Sequence, residues 1–232
     1  MAVPLVFLFD VDNTLLDNDR IIADLREDLE RKFGVEASNR YWTVFEALRS
    51  ELGYADYLGA LQRYRAEFEG EGEDDAAYRL LSLSTVLIDY PFADRLYPRA
   101  LEVVAHLGRL GQCVILSDGD VVFQPRKIQR SGLWAAVDGR VLIYVHKEQM
   151  LDAVQRCYPA HRYVMIDDKL RILNAMKDVL GPRLLTVFPR QGHYAHDVAN
   201  LARYSAADIT VERVGDLLEL DRSWLAADQE IS

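Results

Sequence analysis

Two carboxylates stand two residues apart in Asp10-Val11-Asp12-Asn13-Thr14, directly after the apolar run Val3–Phe9. On an extended chain, residues i and i+2 point the same way. Two such carboxylates repel each other unless a cation lies between them or one is protonated. The pair therefore suits a Mg²⁺ cradle, because that ion takes oxygen ligands and keeps several waters. It also suits covalent chemistry, with one carboxylate as nucleophile and the other as proton carrier. A solvated turn after a strand is the plainer alternative. A D-x-D-x-T match placed directly behind an apolar strand is, however, uncommon by chance.

Three further apolar runs end in residues of matching chemistry. Cys113–Leu116 is followed by Ser117-Asp118-Gly119-Asp120. That is a tight-turn composition, and it also sets a hydroxyl and nearby backbone N–H groups where a phosphoryl oxygen could be held. Val141–Val145 is followed by His146-Lys147-Glu148, and Lys147 is one of only five lysines against 22 arginines. A lysine opening a helix works against the helix dipole, which suggests a local reason such as neutralising a phosphate and an acidic cluster. Tyr163–Ile166 is followed by Asp167-Asp168-Lys169. The adjacent carboxylates invite the same cation argument as the first pair, with a helix N-cap as the alternative for either one.

These residues need elements that bring them together. Val3–Phe9 is a continuous β-rich apolar run, as expected of a strand buried on both faces. From residue 95 onward such runs alternate with helical patterns at 98–110, 122–131, 147–157, 170–179 and 194–204. Further short strands are expected at Leu184–Phe188 and Asp208–Val211. That alternation predicts an α/β fold with a doubly wound, mostly parallel sheet, whose ligands bind beyond the carboxyl ends of the strands. Residues 17–94 read instead as successive helices, with an acidic loop at Glu69–Asp75. One face carries Ile21, Ile22, Leu25, Leu29 and Phe33; a second helix carries Tyr41, Val44, Phe45, Leu48 and Leu52. The expected organisation is a core of residues 1–16 and 95–232 interrupted by a helical domain of residues 17–94.

Composition narrows the classes. The chain has 232 residues and a net charge of −10, which disfavours a nucleic-acid surface. Residues 17–94 hold 18 acidic and 9 basic residues and so carry nearly all of that excess. No apolar run approaches the roughly 18 residues a membrane span requires. Cys113 and Cys157 lie at no metal-ligand spacing and read as reduced thiols. The N-terminus lacks a basic start and a cleavage site, so it reads as a strand rather than a leader, and a cytoplasmic location is expected.

Taken together, the motifs resemble those of the haloacid dehalogenase superfamily of phosphoryl-transfer enzymes. Asp10-Val11-Asp12-Asn13-Thr14 looks like its first motif, Ser117 its second, Lys147 its third and Asp167-Asp168 its fourth. The resemblance implies a Rossmann-like core with an inserted helical cap, and a Mg²⁺-dependent phosphatase acting on a small phosphorylated metabolite. Asp10 would become an aspartyl-phosphate, and Asp12 would protonate the leaving group and then activate water. Ser117, Asp118 and Lys147 would hold the phosphoryl group, and Thr14 would orient Asp12. Mg²⁺ would sit among Asp10, the Asp12 carbonyl and the fourth-motif acids, with Asp167 favoured as direct ligand and Asp168 behind it. Many members have Gly-Asp at the fourth motif, whereas this chain has the adjacent acids. Dehalogenase and phosphonatase branches lack the second aspartate of the first motif, so Asp12 argues against both. A phosphomutase resembling β-phosphoglucomutase is the main alternative, and a phospho-acceptor or binding protein a more distant one. Substrate choice is expected from the cap and facing loops, with Asn18, Arg20, Tyr41, Arg49, Tyr54 and His193 as candidates.

Overall fold

In a computed structural model, residues 3–68, 83–220 and 224–225 are described. The expected loop at Glu69–Asp75 lies outside them. The strands are β1 (Val3–Phe9), β2 (Gln112–Asp118), β3 (Val141–Tyr144), β4 (Ala160–Ile166), β5 (Leu184–Pro189) and β6 (Ile209–Val211). They form one fully parallel sheet in the order β3-β2-β1-β4-β5-β6. This is a Rossmann-like α/β sheet whose strand order reverses at β1, so the crevice for ligands opens between the ends of β1 and β4.

Alternation along β1 sorts its side chains onto two faces. Phe7 and Phe9 join one buried cluster with Ile115, Val164 and Val187, while Val6 and Leu8 join another with Val114, Leu116 and Met165. Both faces are covered, which is why these strands read as unbroken apolar runs.

Between β1 and β2 lie α1 (Asn18–Phe33), α2 (Val35–Leu52), α3 (Tyr57–Phe68) and α4 (residues 83–88). Asp17 caps α1 by accepting from the Arg20 N–H at 2.9 Å. The inward stripes of these helices, including Leu25, Tyr41, Phe45 and Tyr57, belong to the same cluster as Phe7 and Phe9. Tyr57 packs against Phe123 with the rings tilted by 32° and their centroids 4.5 Å apart, which joins the insertion to the core.

The remaining helices are α5 (Ala100–Leu107), α6 (Phe123–Arg130), α7 (Leu133–Ala136), α8 (Leu151–Cys157), α9 (Leu170–Leu180), α10 (Gly192–His196) and α11 (Val198–Arg203). α7 has no counterpart in the sequence expectation, and three expected helices differ in their bounds. α5 starts at Ala100, because Arg99 before it is left-handed (φ 67°). The helix expected from residue 147 is split: a 3-10 turn, Lys147–Gln149, turns Lys147 inward before α8 begins. The helix expected over 194–204 breaks at Asp197, whose carboxylate accepts from the Ala199 and Asn200 N–H groups and caps α11. No helix among the described residues is long and apolar enough to cross a membrane.

Candidate active site

Strand pairing fixes the acids. The Asp10 N–H donates to the Ile166 carbonyl at 3.0 Å, and the Asp167 N–H to the Val187 carbonyl at 3.1 Å. Each carboxylate is thus held one residue past its strand by the ladder of its neighbour. The chain then turns sharply through Asn13 (φ 61°), a left-handed conformation that Asn tolerates. The Asn13 amide donates to Asp19 at 2.9 Å, tying the turn to the first turn of α1. Gln191 braces the same turn from the loop after β5, donating to the Thr14 carbonyl at 3.1 Å. Thr14 Oγ1 accepts from the Asp168 N–H at 3.0 Å. The Thr14 hydroxyl is therefore placed on the fourth-motif backbone, not on Asp12 as the resemblance implied.

Lys147 is the electrostatic centre. Its side chain is buried, its ammonium donates to Asp10 Oδ1 and lies 2.7 Å from Asp167 Oδ2, and its N–H donates to Asp118 Oδ1 at 2.8 Å. Burial works against this ammonium, but Asp10 and Asp167 outweigh it and hold its pKa above the ordinary lysine value. Asp118 thereby positions the Lys147 backbone, and its own carboxyl is raised by burial. Ser117 is buried at the end of β2 and accepts from Gln124 Nε2 at 2.9 Å.

Asp10, Asp167 and Asp168 place one oxygen each within 4.8 Å of one another, and all three are buried. Asp167 has both oxygens engaged, Oδ1 by the Lys169 N–H at 2.8 Å and Oδ2 by Lys147. Asp10 Oδ2, Asp167 Oδ2 and both oxygens of Asp168 make no hydrogen bond, although Asp167 Oδ2 has the Lys147 ammonium 2.7 Å away. Buried polar atoms without partners are rare and call for a cause. Burial pushes Asp167 up to about 6 and Asp168 well above the ordinary carboxylate range, with Lys147 and Lys169 pulling the other way. Oxygen-only donors, clustered and unsatisfied, fit a hard divalent cation such as Mg²⁺. Asp167 and Asp168 thus both turn an oxygen toward the cluster, and Asp168 has both of its oxygens without a hydrogen bond.

Asp12 sits at the rim, its side chain 25% exposed, with Lys127 Nζ 2.5 Å from its Oδ1. A cleft of about 250 Å³ opens over it, lined in part by Asn18, Arg49, Tyr54, His193 and Tyr194. Arg49 donates to the Tyr194 hydroxyl at 2.5 Å, and Asp19 holds His193 through both its N–H and Nδ1. Arg20 is not part of this cleft: its side chain is 59% exposed and pairs with Asp24 at 2.9 Å. Tyr41 is likewise elsewhere, buried with its hydroxyl donating to the Tyr57 carbonyl at 3.0 Å. Sequence reading passed over Gln124, Lys127, Lys169 and Gln191. Two of the five lysines, Lys147 and Lys169, stand three residues past strand ends, and that scarcity was the available signal for Lys169; Lys127, inside α6, carried none.

A family model for haloacid dehalogenase-like hydrolases matches residues 5–179. A crystal structure from Burkholderia xenovorans LB400 with the same family description is 64% identical, covering 96% of this chain and 99% of its own, with a TM-score of 0.88. The L-2-haloacid dehalogenase of Xanthobacter autotrophicus is 19% identical over 94% of this chain and 98% of its own, with a TM-score of 0.59. The Bacillus subtilis protein YfnB, in a magnesium-bound structure, is 18% identical over 94% of this chain and 98% of its own, with a TM-score of 0.62. A search among curated proteins finds no match. The first match shares sequence as well as shape, whereas the other two share the fold. With three quarters of its length under the family model and the acids at the strand ends in place, the chain belongs to the haloacid dehalogenase-like hydrolases.

Proposed function

We propose that this hydrolase is a Mg²⁺-dependent phosphatase that cleaves a small phosphate monoester through an aspartyl-phosphate on Asp10. The observation that carries the reading is Asp12, partly exposed at the cleft two residues beyond a buried Asp10. One Asp10 oxygen attacks phosphorus while the bond to the ester oxygen breaks, and Asp12 gives that oxygen a proton. Water then attacks phosphorus, Asp12 takes the water's proton, the phosphorus–Asp10 bond breaks, and inorganic phosphate leaves. Lys147 lies against Asp10 and balances charge at the reacting carboxylate, and Ser117 offers a hydroxyl at the end of β2. Asp10 and Asp168 would hold Mg²⁺ through their unpartnered oxygens, with Asp167 beside them braced by Lys147. Bound there, the ion would supply charge neutralisation for the phosphoryl oxygens.

Asp12 also separates this reading from dehalogenation. A halide leaves as a stable anion and needs no proton, so a carboxylate at the leaving-group side would serve nothing. An alkoxide leaving group needs the proton. Arg49, Tyr54 and His193 would contact the non-reacting part of the ester from the insertion and the loop after β5.

The test is phosphate release from a panel of sugar phosphates, nucleotides and p-nitrophenyl phosphate, with Mg²⁺ or EDTA, using Asp10→Asn protein as blank. Release that needs both Mg²⁺ and Asp10 is expected. Release unchanged in Asp10→Asn would overturn the nucleophile, and no release from any ester would overturn the phosphatase reading.

A further inference from the structure

Lys127 is a buried cation that the chemistry above does not use. Its side chain is 1% exposed, although lysine is among the residues least often buried. It lies on α6 with its ammonium 5.8 Å from the centre of the Phe123 ring, where an apolar side chain would pack without desolvating a charge. Its ammonium instead reaches Asp12 Oδ1 at 2.5 Å and Asn18 Oδ1 at 3.1 Å. One turn earlier on the same helix, Gln124 Nε2 donates to Ser117 Oγ at 2.9 Å and to Asp12 Oδ2 at 3.4 Å. Both oxygens of Asp12 are thus gripped from α6.

We infer that Lys127 is a positioning residue: with Gln124 it sets the orientation of the Asp12 carboxylate and ties it to Asn18, the first residue of the inserted helices. Lys127 is absent from the residues lining the cleft, whereas Asp12, Asn18 and Gln124 line it. It therefore acts on the reaction through Asp12 rather than by touching an ester. Residues three apart on a helix share a face, so α6 presents amide and ammonium side by side to one carboxylate. Two contacts define the plane of a carboxylate where one would let it rotate. The link to Asn18 makes that plane depend on where the insertion sits. α6 is already coupled to the insertion elsewhere, since Arg130 donates to the Asp89 carbonyl at 3.1 Å and Phe123 packs against Tyr57.

The inference rests on Asp12 being the proton carrier, and the experiment separates the two. Phenyl phosphate and p-nitrophenyl phosphate have nearly the same shape, but p-nitrophenolate leaves readily without a proton and phenolate does not. kcat/KM for both esters is measured for wild type, Asp12→Asn, Lys127→Met and Gln124→Met. Lys127→Met is expected to lower kcat/KM for phenyl phosphate by about 10- to 100-fold, within the range of general acid catalysis, with a several-fold smaller loss on the nitrophenyl ester. Gln124→Met should show the same split at smaller size and serves if Lys127→Met does not fold. Equal losses on both esters would mean a packing role and overturn the proposal. Absence of a split in Asp12→Asn would instead sink the reading of Asp12, and the proposal with it. A crystal structure of Lys127→Met reads the same point without any ester: the Asp12 carboxylate should rotate, and an unmoved carboxylate would overturn the proposal.

Discussion

Asp168→Asn separates the cost of the acidic cluster from its use. Asp168 is wholly buried and neither of its oxygens has a hydrogen-bond partner. Burial drives its folded pKa well above the ordinary value, while the unfolded chain exposes a carboxylate that titrates near 4, roughly. Between those two pKa values the native state keeps a proton that the unfolded state has released. Stability changes with pH in proportion to protons bound unfolded minus protons bound native. That difference is negative here, so stability falls as pH rises through the window. Below the unfolded value both states are protonated and the cost disappears.

Asparagine keeps the shape and never titrates. A buried polar group without a partner costs about 1–3 kcal/mol, and more when it is charged. In EDTA at pH 7.5, Asp168→Asn should therefore be more stable than wild type by about 2–4 kcal/mol, or roughly 5–15 °C for a chain of this length. The gain should shrink toward zero near pH 4. Mg²⁺ should narrow that gap, because a ligand at a hundredfold excess over its Kd adds about 2.7 kcal/mol to a state that binds it. The variant, short of one ligand, should gain less and release little phosphate. Thermal unfolding by circular dichroism from pH 4 to 8, with EDTA or Mg²⁺, measures all of this. A variant less stable than wild type in EDTA at pH 7.5 would show that the Asp168 oxygens are satisfied, and the argument would fail.

Lys147→Met should abolish turnover and, in EDTA, cost about 3–5 kcal/mol in urea unfolding, because it strands Asp10 and Asp167 as buried carboxylates without their cation. Mg²⁺ should recover part of that stability; no recovery would count against a cation site at these acids. Gly192→Ala should lose about 1–3 kcal/mol of stability from backbone strain alone, since Gly192 has φ +68°. Its added Cβ would also lie 2.4 Å from Asn13 Cβ, so kcat should fall with the displaced Asp10 turn, and an unchanged kcat would show that this turn tolerates the shift.

The strand ends were legible because two physical facts coincide there. A strand covered on both faces must be apolar throughout, and a parallel sheet gathers its chemistry where such strands stop. Asp10, Ser117, Lys147, Asp167 and Asp168 each stand at or directly after such a run. What stayed hidden depends on contacts across the chain. The helix expected at 122–131 gives no sign of which face turns inward, and Lys127 owes its burial to Asp12 and Asn18, more than a hundred residues away in sequence. Asn18 and Arg20 illustrate helix phase: two residues apart, they face opposite ways, and nothing in the first turn says which way is inward. Thr14 was legible as a site residue but not in its partner, because its hydroxyl reaches across to the Asp168 N–H.

The placement of the acids follows from their repulsion. Asp10, Asp167 and Asp168 disfavour one another's charge, so no flexible loop would keep them together without a cation. Here the ladder hydrogen bonds of Asp10 and Asp167 fix the backbone, and the apolar core beneath bears the cost. Asp12 escapes that constraint. It lies one turn outside the ladder, partly exposed, held by side chains of α6 and linked through Lys127 to the insertion. The groups that must not move are thus set by backbone pairing in the sheet. Asp12, the proton carrier of the proposed reaction, is set instead by the side chains of Gln124 and Lys127, outside the ladder that holds the acids behind it.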